Sequence, residues 1–177
     1  PMALEIDQFM CRSDNFGVLA HDPESGETAI IDAPETAPIL EAVERTGWTP
    51  TVLLITHHHG DHVAGNLDLK KRFGLKIVGP RSEADRIPGI DETVQDGDRF
   101  GFGSDEVHVI STPGHTAGHV CYHFARSGVA FTGDTLFALG CGRLFECKPP
   151  DMFASLNKLA ALPLETVIYC GHEYTQA

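Results

Sequence analysis

The chain has 177 residues, of which 42% are apolar and 21% are charged, a composition that suits one folded domain and disfavours disorder. Its 13 Lys and Arg residues against 25 Asp and Glu residues give a formal charge of −12, which opposes general binding to nucleic acid or to an anionic membrane. It contains no run of about 18 apolar residues, so a membrane-spanning helix is not expected.

The five cysteines are odd in number and include no C-x-x-C pair. The chain does not open with a basic stretch followed by an apolar one, so no signal peptide is expected. Free thiols in a reducing compartment fit this pattern better than disulfides do. We therefore expect a cytoplasmic protein with a single domain over residues 1–177, whose oligomeric state the sequence leaves open.

The first part of the chain predicts a β-hairpin followed by a strand–helix–strand unit. Asp22–Gly26 is an acidic, glycine-containing stretch between two apolar segments, as in a hairpin turn. Thr51–Thr56 is a continuous apolar run, which is typical of a strand buried on both faces. The expected elements are strands at Met2–Phe9, Phe16–Ala20, Glu27–Ile31 and Thr51–Thr56, and a helix at Pro34–Thr46.

The rest of the chain predicts more strands than helices, with Asp151 as the cap of the last helix and a buried final strand. The expected elements are helices at Val63–Phe73 and Asp151–Leu162, and strands at Leu75–Val78, within Thr93–Ser111, and at His119–Phe124, Val129–Thr132 and Thr166–Cys170. Hairpins mixed with strand–helix–strand units predict an α/β fold, an αββα sandwich of two packed mixed sheets flanked by helices. Only residues 171–177 follow the last strand, so the final helix of the sandwich is expected to be missing.

The most specific feature of the sequence is Thr-His-His-His-Gly-Asp-His at residues 56–62, directly after the apolar strand. Four metal-competent side chains therefore lie on one loop at a strand's carboxyl end, where α/β proteins place ligands. These are His57, His59, Asp61 and His62. Imidazole and carboxylate suit Zn²⁺, Fe or Mn²⁺, and the lack of thiolate disfavours a closed structural zinc site.

Three later strands end in the same manner, with His115, Asp134 and His172 after small or turn-forming residues. The carboxyl ends of parallel strands meet at one sheet edge, so these groups are expected to join the first loop. Five imidazoles and two carboxylates match two metals about 3.5–4 Å apart, bridged by a carboxylate and a water-derived oxygen. Such a pair lowers the pKa of water towards 7 and polarises a carbonyl, which predicts a hydrolase.

With its H-x-H-x-D-H…H…D…H pattern the chain resembles the metallo-β-lactamase-fold superfamily from Phe16 to Tyr174, and within it glyoxalase II, the hydroxyacylglutathione hydrolases. The segments that carry the resemblance are THHHGDH, TPGHTAGH, GDTLF, GCGRLFE and GHEYT. The resemblance implies cleavage of S-acylglutathione thioesters, such as S-D-lactoylglutathione, to glutathione and a hydroxy acid.

The resemblance also implies roles for individual residues. One metal takes His57, His59 and His115, the second takes Asp61, His62 and His172, and Asp134 bridges them. Asp61 and Asp134 count as catalytic together with a hydroxide held by the metals, while Arg143, Phe145 and Tyr174 bind the glutathione part of the substrate. The two divalent ions are expected to be zinc, with iron or manganese also suited to these ligands.

Two departures from the family pattern bear on the substrate site. Cys147-Lys148 stand where the family usually has Gly-Thr, and the family's cationic helical region is not found before Ala177. We therefore expect this chain to hold a more complete set of metal-binding residues than of substrate-binding residues. Two alternatives stay open: a mononuclear iron persulfide dioxygenase of the same fold, although Leu144-Phe145-Glu146 replaces its usual Thr-Asp-Phe, and a catalytically impaired metal-binding fragment. β-Lactam hydrolysis is a weaker possibility.

The remaining polar residues are expected to play supporting or structural parts. His58 is predicted to point away from the metals, because alternate residues of an extended loop diverge. Asp32 and His119 are candidates for holding ligands through hydrogen bonds. The cysteines are predicted to be packing residues, and the remaining histidines, His21, His108 and His123, ordinary surface or half-buried ones.

Overall fold

The structure is a computed structural model that describes residues 3–174. Met2, the first residue of a predicted strand, and Thr175, the last residue of the GHEYT segment, lie outside this range. None of the helices in the described part of the chain has the length and apolarity needed to cross a bilayer.

The first sheet has six strands in the order in which they occur in the chain, β1 to β6. The first three strands pair antiparallel, and the third to the sixth pair parallel. The six strands are β1 (Glu5–Cys11), β2 (Asn15–His21), β3 (Thr28–Ile31), β4 (Val52–Leu54), β5 (Lys76–Pro80) and β6 (Glu92–Val94). The predicted hairpin is present, because residues 22–27 join the antiparallel strands β2 and β3, and Gly26 within them adopts a positive φ of 81°.

The residues around β4 are continuously apolar because this strand is buried on both faces. Leu54 faces the core between the two sheets, while Leu53 faces the core under the helices. Both side chains have no exposed surface, since β4 lies between β3 and β5 in the interior of the sheet. A strand in this position needs apolar residues on each side of its pleat, which accounts for the loss of alternation.

The second sheet has five strands in the order β13-β10-β9-β8-β7. Only β10 and β13 pair parallel, and the other neighbours are antiparallel. The strands are β7 (Arg99–Phe102), β8 (Asp105–Ser111), β9 (Val120–Phe124), β10 (Val129–Gly133) and β13 (Val167–Cys170), and a small separate hairpin is formed by β11 (Leu136–Phe137) and β12 (Gly140–Cys141). The two large sheets pack face to face around aromatic and branched side chains such as Tyr122, Phe124 and Phe131.

The helices complete the sandwich. The first and third pack Ile39, Ala42 and Leu69 against the outer face of the first sheet, and the fourth is tied to the end of β8 by Lys158 Nζ, which donates to the Ser111 carbonyl at 2.8 Å. The helices are α1 (Thr36–Thr46), α2 (Gly60–Val63), α3 (Asn66–Phe73) and α4 (Pro149–Ala160), and a 3₁₀ helix covers Arg81–Arg86. The α/β class with two packed mixed sheets and helices is confirmed.

Two predicted elements are divided in the structure. The single helix expected at Val63–Phe73 is two helices separated at Gly65, where the backbone passes so close to Thr36 that a Cβ would lie 3.0 Å from its Oγ1. The strand region expected at Thr93–Ser111 contains three strands, β6 to β8, separated by turns at Gly97 and Gly103, both of which have positive φ.

Two predictions about the C-terminal part of the chain are wrong. Asp151 is not the N-cap of α4; Lys148 is, and Asp151 lies three residues further on, accepting a hydrogen bond from the Lys148 backbone N–H at 2.9 Å. The final strand is not buried, because β13 is an edge strand whose Val167 is 52% exposed. Its apolar run is therefore not evidence of burial on both faces.

Candidate metal centre

The polar residues predicted for the site are brought together where strands of both sheets end. Residues 57–62 follow β4 of the first sheet, and His115, Asp134 and His172 follow β8, β10 and β13 of the second. The seven side chains fall into two groups whose potential ligand atoms lie within 4.8 Å of one another. The first group is His57, His59 and His115, and the second is Asp61, His62, Asp134 and His172.

The spacing within these groups suits a bound cation. Atoms about 2.1 Å from a tetrahedral ion lie about 3.4 Å from each other. In the first group His59 Nδ1 and His115 Nε2 are 3.0 Å apart. In the second group Nε2 of His172 lies 3.1 Å from Asp61 Oδ2, 3.2 Å from Asp134 Oδ2 and 3.3 Å from His62 Nε2.

Asp134 lies between the two groups. Its Oδ2 is 3.2 Å from His115 Nε2 in the first group and 3.2 Å from His62 Nε2 in the second. His57 Nε2 is 3.7 Å from the same oxygen. A carboxylate in this position can contact an ion in either group, which is what a bridging ligand requires.

Hydrogen bonds at Nδ1 fix the orientation of three of these imidazoles. His115 Nδ1 lies 2.8 Å from the Arg143 carbonyl oxygen, His62 Nδ1 lies 2.9 Å from Asp32 Oδ2, and His172 Nδ1 lies 3.2 Å from Asp14 Oδ1. A carbonyl or carboxylate oxygen only accepts, so each Nδ1 carries the proton. In the neutral ring Nε2 then presents a lone pair to the centre, which is the arrangement found around protein-bound metals.

The arrangement fits cations better than it fits the protein atoms alone. The Nε2 atoms of His62 and His172 lie 3.3 Å apart, so in the neutral rings two lone pairs would face each other and would need a proton or a metal cation between them. Among residues 3–174, His57 Nε2 and Asp134 Oδ1 are buried and have no hydrogen-bond partner. A buried unpaired polar group costs about 1–3 kcal/mol, so both atoms point to a ligand that the protein itself does not supply.

The electrostatics of the centre favour positive charge. Burial opposes ionisation of Asp134, but neighbouring His62 and hydrogen bonds from three histidines hold the pKa of that carboxyl well below its usual value. Burial likewise lowers the pKa of His172, yet Asp134 and Asp61 raise it to about 10. The ionised carboxylates therefore attract protons or cations, and a metal would displace the protons.

Asp32 and His119 hold candidate ligands through hydrogen bonds, the part that their positions in the sequence suggested. Asp32, which has a positive φ of 58° at the end of β3, accepts from Thr56 N at 2.7 Å and from His62 Nδ1 at 2.9 Å. His119 Nε2 accepts from the Asp134 backbone N–H at 3.1 Å. His58 turns away from the two groups, because its Nδ1 lies 2.7 Å from Glu83 Oε1.

A pocket of about 970 Å³ opens onto the two groups, which is large enough for a small-molecule ligand. Its walls include the three residues expected to bind substrate, Arg143, Phe145 and Tyr174. The Tyr174 ring stacks on His172 with centroids 4.8 Å apart, and the Phe145 ring meets the edge of His115 at 5.2 Å. Arg143 is the one arginine or lysine among the described residues of the wall.

One cysteine departs from the prediction that all five are packing residues. Cys11 and Cys121 are buried, but Cys141 is exposed and lies in the pocket wall. Its strand, β12, belongs to the small hairpin outside the two large sheets. A residue in this strand is therefore not buried by sheet packing.

Three residues that contact candidate ligands, or the residues beside them, were not predicted from the sequence. Asp14 contacts His172, and Asn15 Nδ2 donates to Asp61 Oδ2 at 3.1 Å. Asp14 lies in the turn before β2 and Asn15 is the first residue of β2, and nothing in the local sequence marks either of them. Glu83, in the 3₁₀ helix, contacts residues beside the first group. Their positions depend on long-range packing, which single-sequence patterns do not encode.

This fold, with histidines and aspartates at the strand ends, defines a class of metal-dependent enzymes. The chain belongs to the metallo-beta-lactamase superfamily, whose family model matches residues 18–172. It is 71% identical over 176 residues to the hydroxyacylglutathione hydrolase of Mesorhizobium japonicum, and the match covers 99% of this chain and 69% of that relative. Within the superfamily the chain is therefore a member of the hydroxyacylglutathione hydrolase family, as its motifs indicated.

Solved structures agree with this assignment of the fold. The crystal structure of ETHE1 from Myxococcus xanthus has a TM-score of 0.85 and 28% identity, and the match covers 98% of this chain and 77% of that chain. The crystal structure of TTHA1623 in a di-iron-bound form has a TM-score of 0.81 and 27% identity over 93% of this chain and 90% of that one. The superfamily and the clustered His and Asp side chains indicate divalent metal ions.

Proposed function

We propose that this chain hydrolyses the thioester bond of S-acylglutathiones such as S-D-lactoylglutathione, releasing glutathione and a hydroxy acid. The observation that carries the proposal is the meeting of five histidines and two aspartates in two ligand groups beneath one pocket. The 71% identity to a relative named hydroxyacylglutathione hydrolase supports the choice of substrate class.

The two groups would hold one divalent ion each. His57, His59 and His115 would bind the first ion, Asp61, His62 and His172 the second, and Asp134 both. We take zinc as the resident metal, since imidazole and carboxylate ligands suit it, as they suit iron and manganese. When bound, such ions lower the pKa of water to about 7 and stabilise negative charge on a carbonyl oxygen.

The chain's own part in the reaction is orientation. Asp61 lies on the pocket wall, with Asn15 Nδ2 donating both to its Oδ2 and to its backbone carbonyl at 3.1 Å. Asp134 is almost fully buried, and its backbone N–H is held by His119. Burial raises the pKa of both carboxyl groups, but neighbouring histidines lower it by more, so both carboxylates stay ionised at neutral pH. They can therefore orient the attacking water and offset the positive charge of the site.

The substrate would lie along the pocket, with its thioester carbonyl over the two groups and its glutathione part towards Arg143, Phe145 and Tyr174. Glutathione is an anion, and Arg143 supplies a positive charge to a wall that also carries Asp14, Asp61 and Asp134. A charge-assisted hydrogen bond of this kind contributes about 1.5–3 kcal/mol. The two aromatic rings offer apolar surface to the peptide part of the substrate.

The leaving group needs little help from the protein. A thiol with a pKa near 8.5 departs as thiolate, so a dedicated general acid is unnecessary. We place the reaction in the cytoplasm, because the exposed Cys141 thiol in the pocket wall suits a reducing compartment.

The test is a hydrolysis assay of the purified chain, loaded with zinc, on S-D-lactoylglutathione. We expect release of one free thiol per substrate and no cleavage of a β-lactam at the same concentration. An Asp134→Asn variant serves as the matched inactive control. A wild-type chain that binds metal but releases thiol no faster than this variant would refute the proposal.

A further inference from the structure

A buried carboxylate outside the two ligand groups joins the loops that carry the first group. Glu83 lies in the 3₁₀ helix that follows β5, and it is 1% exposed. Each of its carboxylate oxygens contacts a different loop. Burial of a charged carboxylate costs several kcal/mol of desolvation free energy, so it is found only where several hydrogen-bond donors satisfy the group.

The Oε1 atom of Glu83 holds the loop after β4. It accepts from the His58 backbone N–H at 2.8 Å and lies 2.7 Å from His58 Nδ1. His58 stands between His57 and His59 in the chain, so this contact fixes the backbone from which both neighbouring imidazoles project.

The Oε2 atom holds the loop after β8. It accepts from Thr116 Oγ1 at 2.6 Å and from the Gly118 backbone N–H at 2.8 Å. Thr116 directly follows His115. The close approach depends on glycine at position 118, because a Cβ there would lie 2.6 Å from Glu83 Cγ and 2.7 Å from Oε2.

We propose that Glu83 is a positioning residue that sets the spacing between His59 and His115, and so tightens the site formed by His57, His59 and His115. The proposal rests on the metal centre of the proposed function. Asp32 holds His62 of the second group through Nδ1 and also holds Thr56, which contacts His57. The hydrogen bonds of Glu83, in contrast, go to residues beside His57, His59 and His115. Glu83 is therefore expected to act mainly on the first site, because the proposed ligands of that site adjoin its contacts on both loops.

An amide cannot replace this carboxylate. In a glutamine, the –NH₂ group would occupy one of the two oxygen positions, where it would face backbone N–H groups that donate and do not accept. Whichever way the amide turns, one loop loses its acceptor while the volume of the side chain is kept. Glu83→Gln is therefore the sharpest variant.

The experiment measures Zn²⁺ dissociation constants by competition with a colour-forming chelator, in two backgrounds. His172→Ala leaves the first site intact, and His59→Ala leaves the second. We expect Glu83→Gln to weaken Zn²⁺ binding about 10- to 100-fold in the His172→Ala background, and less than about twofold in the His59→Ala background.

The matched control is Asp22→Asn. Asp22 is likewise buried and likewise ties two loops, through Ser25 and Ser104, but it lies at the far end of β2. It should leave both dissociation constants within about twofold. If Glu83→Gln fails to fold, Thr116→Val removes only one donor to Oε2 and should show the same selectivity, with a loss of severalfold.

Equal weakening in both backgrounds, or unchanged Zn²⁺ binding in a folded Glu83→Gln chain, would overturn the proposal. Its failure is separable from failure of the proposed function. A wild-type chain that binds Zn²⁺ with the expected dependence on Glu83, but does not hydrolyse thioesters, would overturn the function alone.

Discussion

His59 Nδ1 and His115 Nε2 lie 3.0 Å apart although 56 residues separate them in the chain. One follows a strand of the first sheet and the other a strand of the second, so the packing of the sheets is what brings the two nitrogens together. Ligands contributed by separate loops cannot form a site before the sandwich closes. We therefore expect metal binding to stabilise the packing between the sheets.

Removal of one histidine tests whether the first group is a metal site. His59→Ala is expected to lower the metal content by about one ion per chain, because three imidazoles no longer converge. Thioester hydrolysis should fall by about a factor of 100 or more, since one ion is lost from the reacting centre. Metal content by elemental analysis and rate are measured on the same sample. An unchanged metal content would show that His59 is not a ligand.

Arg143 tests the substrate side of the pocket. Arg143→Gln should raise KM for S-D-lactoylglutathione by about tenfold with little change in kcat, because a charge-assisted contact to bound substrate is lost while the metal centre is untouched. Arg99→Gln, which alters an exposed arginine on β7, is the control for the change in net charge. A fall in kcat at constant KM would place Arg143 in the chemical step instead.

Gly171 tests how closely the second group is packed. A Cβ at this position would lie 2.4 Å from Asp134 Oδ1 and 3.0 Å from His62 Cε1, so Gly171→Ala is expected to displace the Asp134 carboxylate, the proposed bridging ligand. The variant should lose metal affinity as well as activity. Gly101→Ala is the matched control, because a Cβ on that β7 glycine meets no atom within 4 Å. Equal metal affinity and equal activity in the two variants would contradict the close packing of Gly171 against Asp134.

Asp22 gives a prediction on pH and stability away from the metal centre. Burial raises the pKa of this carboxyl, but hydrogen bonds from Ser104, Ser25 and Glu24 lower it overall to about 2. Because the pKa in the folded state lies below that of the unfolded chain, the stabilisation is present above about pH 4 and is lost as the pH falls towards 2. The shift corresponds to about 2 kcal/mol.

Urea unfolding of the Asp22→Asn variant and of the wild type, at pH values from about 2 to 7, measures how much the Asp22 carboxylate stabilises the fold. We expect a deficit of about 2 kcal/mol in the free energy of unfolding at pH 7 that shrinks as the pH approaches 2. Asp85→Asn, at an exposed residue of the 3₁₀ helix, is the control for loss of one carboxylate. A deficit that does not depend on pH would mean that Asp22 contributes through packing and not through its charge.

The sequence allowed the strand-end residues to be found because their signal is local. Thr51–Thr56 and the histidines that follow it identify a buried strand and its loop without reference to the rest of the chain. The apolar content of a segment is a weaker guide to burial. The run at Val167–Cys170 resembles that of β4, yet β13 is an edge strand, and its position depends on which strands pair.

Residues that hold the candidate ligands could be predicted only in part. Asp32 and His119 stand beside motifs, so their roles could be suggested from position. Glu83 is separated from His58 by 25 residues and from Thr116 by 33, and an acidic residue in a polar helix is usually exposed. Its burial follows from the way β5 places the 3₁₀ helix against both loops, which no local pattern records.

The measurement that tests the central claim most directly is elemental analysis of the purified chain, made alongside thioester and oxygen-uptake assays on the same sample. We predict two divalent metal ions per chain, hydrolysis of S-D-lactoylglutathione and no oxygen consumption. One iron per chain with oxygen uptake on a persulfide substrate would contradict this account, and so would a chain that takes up no metal at all.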